Sequence, residues 1–161
     1  MSLHAEDGIS FKLNYMPYNK LKSFDLYTDY IEIDNFPFFK SKCNIIFNCL
    51  ESFHFSLNDK DGVLREKIKK EELIENLYKN IDKMPNLTDF YFNFICENIN
   101  ENFYIKFIEK VLTLKSLKKI FININNSKFN EYLELDLKQL FPEKDFNKYK
   151  KVEIYKLGGQ N

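Results

Sequence analysis

A cysteine and a histidine lie close enough in the sequence to suggest nucleophilic catalysis. Cys49 precedes His54 by five residues, and a thiolate beside an imidazole base is a common enzymatic nucleophile. His54, however, falls in an alternating stretch, whereas Cys49 precedes that stretch. Alternate side chains of a strand point to opposite faces, so we do not expect the two groups to meet. The only other histidine, His4, lies near the N-terminus. We therefore predict no enzymatic activity.

An acidic stretch suggests calcium binding. Residues Asn58–Gly62 read NDKDG and look like part of a calcium loop of the EF-hand type. Aligning Gly62 on the glycine of that loop places Leu57 at the first ligand position and Ile68 at the twelfth, where oxygen ligands are needed. Asp and Gly also favour turns. We interpret the stretch as a strand-to-helix turn, and we predict no metal and no cofactor.

Four lysines occupy matching positions in two similar stretches: Lys118, Lys119, Lys150 and Lys151. With Phe121 and Tyr155 nearby, they could form a basic, stacking patch for single-stranded nucleic acid. The chain has 24 basic and 24 acidic residues, whereas general nucleic-acid and membrane-surface binders usually carry a basic excess. Nucleic-acid binding is therefore the alternative function, and we predict no membrane partner.

The cysteines and the N-terminus indicate a compartment. The three cysteines are odd in number and contain no CxxC pair, and residues 1–10 lack an apolar signal region. These features predict reduced thiols in an intracellular, cytoplasmic protein. The apolar neighbours of these cysteines further predict thiols that pack in the core. The residues concerned are Cys43, Cys49 and Cys96.

The elements that would position these side chains recur along the chain. The stretch SLKKIFININN contains apolar residues at positions 1, 4 and 6, if Leu117 is counted as position 1. Four other stretches share this pattern, and the spacings between successive copies are 29, 37, 30 and 32 residues. Alternation of this kind predicts a strand in each copy. The copies begin at Leu21, Leu50, Leu87, Leu117 and Tyr149.

Between the copies, the apolar period changes to that of an amphipathic helix. A helical return between strands favours a parallel sheet, so the chain is predicted to be an α/β protein. The predicted helical stripes are Phe39, Cys43 and Phe47; Leu64 and Ile68, followed by Leu73, Leu77 and Ile81; Phe103, Phe107, Val111 and Leu114; and Phe129, Leu133, Leu137 and Leu140.

The copies resemble the strand consensus of leucine-rich repeats, L-x-x-L-x-L-x-x-N. Asn58 and Asn125 fall on the ninth position of their copies, and Asp29 takes the same place in the first copy. Ile95 and Leu157 occupy it in the other two, and Phe often replaces Leu, which departs from the family pattern. The resemblance implies that Asn58 and Asn125 are structural and hydrogen-bond the backbone where the strand ends.

The repeat length resembles that of the ribonuclease-inhibitor-like class of this family. The resemblance implies a right-handed solenoid of strand–helix repeats, with a parallel sheet on the concave face and helices on the convex face. We expect an N-terminal cap segment over residues 1–19, with a strand at Phe11, Leu13 and Tyr15. About five repeats would cover residues 20–157, and residues 158–161 would form a disordered tail. The chain is also compatible with a fragment of a longer array.

The concave side of such a sheet would display positions 2, 3, 5 and 7 of each copy. Aromatic side chains there, surrounded by polar ones, are typical of protein-binding hot spots. The alternative is that helices or a cap cover this face. We predict a non-catalytic module that binds a protein partner through Tyr27, His54, Tyr91, Asn93, Phe121, Asn123 and Tyr155.

Overall fold

Six parallel strands form a single sheet in which the spatial order follows the chain order. A computed structural model gives this arrangement for residues 2–5, 17–28, 36–57, 70–95, 100–125 and 136–155. The predicted α/β class with a parallel sheet is confirmed. The strands are β1 Ser2–Ala5, β2 Ser23–Thr28, β3 Ser52–Leu57, β4 Asp89–Ile95, β5 Lys119–Asn125 and β6 Lys151–Ile154.

The strand register matches the predicted alignment of the five copies. Residues at position 4 lie opposite one another from β2 to β6 in the order Phe24, Phe53, Phe90, Ile120 and Val152. The ring of Phe53 stacks on both Phe24 and Phe90, with centroid distances of 5.1 and 5.5 Å. The repeated apolar positions therefore form a continuous core layer along the sheet.

The sheet begins with a strand that the sequence analysis did not predict. β1 pairs in parallel with β2, with Ser2 opposite Ser23. The predicted cap strand at Phe11, Leu13 and Tyr15 lies outside the described residues. In the sheet, β2 lies between β1 and β3, so Ser2–Ala5 is the strand at this edge.

Helices cover one face of the sheet. They are α1 Lys70–Asn80, α2 Glu101–Leu112 and the single turn α3 Leu137–Leu140. The side chain of Asn100 caps α2 by accepting hydrogen bonds from two backbone N–H groups of its first turn. Phe107 of α2 then packs 5.5 Å from the ring of Phe92 in β4. None of the helices that the structure describes has the length and apolar character that a membrane crossing requires.

The helix predicted around Phe39, Cys43 and Phe47 is wrong. The structure has one 3-10 turn, Pro37–Phe39, followed by irregular backbone up to β3. All three apolar side chains are nevertheless buried. An apolar spacing of four residues was thus compatible with burial but did not determine the backbone conformation.

Two asparagines of α1 explain why this segment does not need to be helical. The side-chain amide of Asn80 donates to the carbonyl oxygens of Phe38 and Lys40, at 3.1 and 2.9 Å. Asn76 donates to the carbonyl of Phe39 at 3.0 Å. These side chains occupy carbonyl groups that a helix would otherwise pair with its own N–H groups.

The fourth predicted stripe, Phe129, Leu133, Leu137 and Leu140, is only partly described. Leu137 is partly buried, but Leu140 is 39% exposed and therefore does not belong to a buried stripe. Several predicted positions lie outside the described residues, so the assignments made for them stay predictions. They are Asp29, Asn58, the calcium-loop residues 58–62, Leu64, Ile68, Phe129, Leu133, Leu157, the tail 158–161 and the side chain of Asn125.

Candidate functional site

The alternation of each strand divides its side chains between the core and a second face. Positions 4 and 6 enter the core that the helices cover, whereas positions 3, 5 and 7 lie on the opposite side of the sheet. No described helix packs on that side. We call this side the open face. It comprises Ser23, Asp25, Tyr27, Ser52, His54, Ser56, Asp89, Tyr91, Asn93, Lys119, Phe121, Asn123, Lys151, Glu153 and Tyr155, and so contains all seven predicted contact residues.

Five ring side chains form a contiguous aromatic row across the open face. Tyr91 and Phe121 stack with their centroids 4.3 Å apart and their planes within 8°. His54 approaches Tyr91 edge-on at 5.8 Å, and Tyr155 lies 5.6 Å from Phe121. Tyr27, which is 39% exposed, lies 6.4 Å from Tyr91. The parallel register therefore converts residues that are far apart in sequence into one patch.

Two phenols of this row, Tyr27 and Tyr91, are neutral at physiological pH. Partial burial raises the pKa of Tyr91 above its ordinary value, and the neighbouring Tyr27, Glu153 and Tyr155 raise it further. Partial burial likewise raises the pKa of Tyr27, as does the adjacent Asp25. The row thus contributes apolar ring surface and neutral hydroxyl groups.

A groove of about 280 Å³ lies beside the aromatic row. Its volume is at the lower end of pockets that enclose drug-sized ligands. It is large enough to receive one or two side chains of a partner. The lining residues are His54, Asp89, Phe90, Tyr91, Lys119, Ile120, Phe121, Lys151 and Glu153.

Two of the four predicted lysines carry acidic partners in this groove. Lys119 Nζ lies 3.2 Å from Asp89 Oδ2, and Lys151 Nζ lies 2.9 Å from Glu153 Oε1. The hydrogen bond that Lys151 donates to Glu153, together with the negative charge of Glu153, raises the pKa of Lys151. These pairs are exposed, so each stabilises the fold only slightly. Their main effect is to place both signs of charge beside the rings.

The other two lysines lie at the margin of the sheet. Lys118 and Lys150 are exposed, and their side chains have no ion-pair partner in the described part of the chain. The backbone N–H of Lys150 donates to the carbonyl of Lys118 at 2.7 Å, which holds the two residues on neighbouring strands. The structure thus brings all four lysines together at one corner.

His54 is oriented by partners that the sequence analysis did not identify. Its Nδ1 lies 2.9 Å from Asp25 Oδ1, and its Nε2 lies 3.2 Å from Ser52 Oγ. Ser23 Oγ hydrogen-bonds the second oxygen of Asp25. The repeat register could have revealed this contact, because Asp25 and His54 occupy position 5 of neighbouring copies.

This connectivity is that of a serine–histidine–aspartate triad, but its surroundings do not suit acyl transfer. Catalysis of that kind needs free N–H donors aimed at a developing oxyanion. The backbone N–H groups of Glu51 and Ser52 both donate to the carbonyl of Lys22. The carboxylate-bearing residue Asp89 lies directly opposite Ser52 on β4 and would repel negative charge. The arrangement fixes the orientation of His54.

Two predicted contact residues instead form a hydrogen-bonded ladder across the strands. Asn93 donates to Ser56 Oγ at 3.0 Å, and Asn123 donates to Asn93 Oδ1 at 2.8 Å. Asn123 is only 6% exposed, so its side chain does not have the exposed position that we predicted for a contact. Its Oδ1 has no hydrogen-bond partner among the described residues.

The cysteine predictions have mixed outcomes. Cys43 is buried, as predicted, whereas Cys49 is exposed in the turn before β3, so the prediction of a packed thiol is wrong there. Cys96 lies outside the described residues. The ring nitrogens of His54 contact Asp25 and Ser52 rather than Cys49. Within the described ranges, no group of three or more His, Cys, Asp or Glu side chains could hold a metal ion.

Comparison of the chain with protein-family models, with curated proteins and with solved structures found no match. Any functional conclusion therefore depends on the geometry of the open face.

Proposed function

We propose that this chain is a leucine-rich-repeat-like solenoid that binds a protein partner on the open face and has no catalytic activity of its own. The observation that carries the proposal is the aromatic row, Tyr27, His54, Tyr91, Phe121 and Tyr155, on the side of the sheet opposite the helices. Aromatic side chains that are partly exposed and surrounded by polar groups are enriched in binding hot spots.

The sheet order supports the solenoid part of the proposal. Six parallel strands that follow one another in space as in sequence, with equivalent residues in register, are expected of stacked repeats. In such arrays each unit buries its apolar side against its neighbours, and the extended sheet surface is a common place for partners to bind. The intracellular location predicted from the cysteines is part of the same proposal.

The dimensions of the open face suit a protein segment. The open face spans the five strands β2 to β6, spaced about 4.8 Å apart, and positions 3 to 7 along each, so it covers roughly 19 by 17 Å. That area can hold one helix or one extended segment. A groove of about 280 Å³ within it would receive the side chains of such a segment.

The proposal is tested by affinity capture from an extract of the source organism, read by mass spectrometry. The wild type is compared with Tyr91→Ala/Phe121→Ala and with a matched control, Lys106→Ala/Glu109→Ala, which alters exposed residues of α2. Circular dichroism and thermal melting establish that all three are folded. We expect the wild type and the control to capture a protein that the aromatic variant does not capture. The reason is that truncating a hot-spot ring costs about 2 kcal/mol or more of binding energy.

Equal capture by all three proteins would contradict the proposal, since the row would then be architectural. A second candidate function, nucleic-acid binding, is favoured by one observation: the four lysines lie in, or directly before, the neighbouring strands β5 and β6. Enrichment of nucleic acid that disappears in Lys118→Ala/Lys150→Ala, with a steep dependence on salt, would favour that candidate.

A further inference from the structure

We infer that the open face recognises an acidic protein segment, with an apolar side chain of that segment in the groove and its carboxylates on the lysine corner. The lysine corner is Lys118, Lys119, Lys150 and Lys151. The inference rests on the proposed function and adds the chemistry of the partner.

Charge is distributed unevenly along the sheet. Across β2 to β4, the charged residues at positions 2, 3 and 5 are mostly acidic: Lys22, Asp25, Glu51 and Asp89. Across β5 and β6, the same positions hold the four lysines against a single acid, Glu153. A partner that docks on β5 and β6 therefore meets a net positive field. Such a field raises the association rate of acidic partners and disfavours basic ones.

The uncompensated part of that charge lies on Lys118 and Lys150. Asp89 and Glu153 hold the ammonium groups of Lys119 and Lys151. Lys118 and Lys150 are exposed and have no ion-pair partner within the described ranges. They directly precede the neighbouring strands β5 and β6, and the backbone N–H of Lys150 donates to the carbonyl of Lys118, so the two exposed side chains start from adjacent points at the edge of the sheet. A partner carboxylate would therefore experience its strongest electrostatic attraction at the lysine corner.

The rings beside the corner also favour negative groups. Tyr91 and Phe121 stack on each other across neighbouring strands, and therefore turn their edges, not their faces, outward. The edge of an aromatic ring carries the positive part of its quadrupole.

The same geometry favours a peptide over single-stranded nucleic acid. Base stacking needs a free ring face, but each ring of the Tyr91–Phe121 pair faces the other, and His54 and Tyr155 flank the pair. Asp89 and Glu153 would also repel a continuous phosphate backbone along the groove. A peptide can place an apolar group beside these acids and its carboxylates at the corner.

The test uses fluorescein-labelled peptides of twelve residues that share a central Leu-Phe. Their flanks are Asp/Glu, Ser or Lys/Arg, and a dodecamer of deoxythymidine serves as the nucleic-acid probe. Fluorescence anisotropy measures binding at low and at moderate salt. We expect the acidic peptide to bind roughly tenfold more tightly than the Ser peptide, the basic peptide to bind more weakly than either, and the preference to decrease with salt.

Charge reversal provides the matched comparison. Lys118→Glu/Lys150→Glu should abolish the preference for the acidic peptide, whereas Lys106→Glu/Lys115→Glu, which changes the net charge equally at exposed positions elsewhere, should preserve it. Melting curves establish that both variants fold.

Equal affinity for all peptides, tighter binding of the basic peptide, or no binding of the acidic peptide at about 1 mM would overturn the inference. So would tighter binding of the oligonucleotide. None of these outcomes would contradict protein binding itself, which the capture experiment tests with an altered aromatic row and intact lysines. In the capture experiment, equal capture by the wild type and the aromatic variant would contradict protein binding on the open face.

Discussion

At the scale of single residues, the fold contains a buried phenol whose hydroxyl is unsatisfied within the described part of the chain. Tyr18 is 7% exposed, and its ring packs edge-on against Phe38 at 6.4 Å. Its hydroxyl has no hydrogen-bond partner among the described residues. Burial raises the pKa of Tyr18 to about 12. The ring therefore contributes packing, whereas the hydroxyl carries a desolvation cost.

Removing that hydroxyl should not destabilise the fold at neutral pH. We expect Tyr18→Phe to leave the free energy of unfolding unchanged or to raise it by up to about 1 kcal/mol. The matched control is Tyr149→Phe, because Tyr149 is similarly buried but donates its hydroxyl to the carbonyl of Leu112 at 3.3 Å. The control should lose about 1 kcal/mol. Urea denaturation measures both, and a larger loss in Tyr18→Phe than in the control would show that the hydroxyl is satisfied.

The same residue predicts how stability responds to alkaline pH. A folded-state pKa of about 12 exceeds the ordinary value near 10, so above pH 10 the unfolded state releases its proton first. The contribution of Tyr18 is thus fully present below pH 10 and is lost as pH rises toward 12. Tyr18→Phe should therefore make the fall in unfolding free energy over this range less steep. Identical slopes in the two proteins would contradict this assignment.

Repeat position and residue type together predicted the members of the open face but not their exposure. Asn93 and Asn123 are polar and fall at position 7, so they were assigned to contacts. Their mutual hydrogen bond exists only because parallel pairing places them opposite each other. Asp25 was similarly overlooked as the partner of His54. Once the register is known, both cross-strand interactions can be read from the sequence.

At the scale of elements, long-range side-chain hydrogen bonds replace a predicted helix. Asn80 is 1% exposed, and it fixes the irregular segment after Pro37 through the carbonyl oxygens of Phe38 and Lys40. The sequence indicated a helix there because Phe39, Cys43 and Phe47 share a helical spacing. No local pattern reveals that asparagines about 40 residues later supply the donors. The helix α2 was predictable because its own apolar spacing determines it.

Removing that donor should destabilise the fold. Asn80→Ala leaves two carbonyl oxygens near the core without their donor, so we expect a loss of roughly 1–3 kcal/mol in unfolding free energy. The matched control is Asn86→Ala, because Asn86 makes a similar bond to the carbonyl of Asn48 at 2.7 Å but is exposed. Water can replace that bond, so the control should cost less than about 0.5 kcal/mol. Equal losses in the two variants would contradict the role assigned to Asn80.

At the scale of the whole molecule, the spacing of the copies predicted the sheet. An apolar residue at position 1 and alternation at positions 4 and 6 fixed both the strand order and the register of β2 to β6. β1 was missed because Ser2–Ala5 is too short to show the pattern. Repetition therefore carried the information that a single short strand lacks. The shape of the array and its partner are not encoded in that pattern, which is why both are proposals.

The central claim, that the open face is the surface that contacts a protein partner, is tested most directly by site-specific photo-crosslinking. The photoreactive residue p-benzoylphenylalanine is placed at position 91 or 121 on the open face, or at position 78 or 103 on the helical side, where Tyr78 and Phe103 are partly buried aromatics. Each protein is irradiated in an extract of the source organism, and adducts are identified by mass spectrometry. The account predicts one common protein adduct at positions 91 and 121 and none of it at 78 and 103. A protein adduct that forms at positions 78 and 103, and not at 91 or 121, would contradict the claim and assign recognition to the helices.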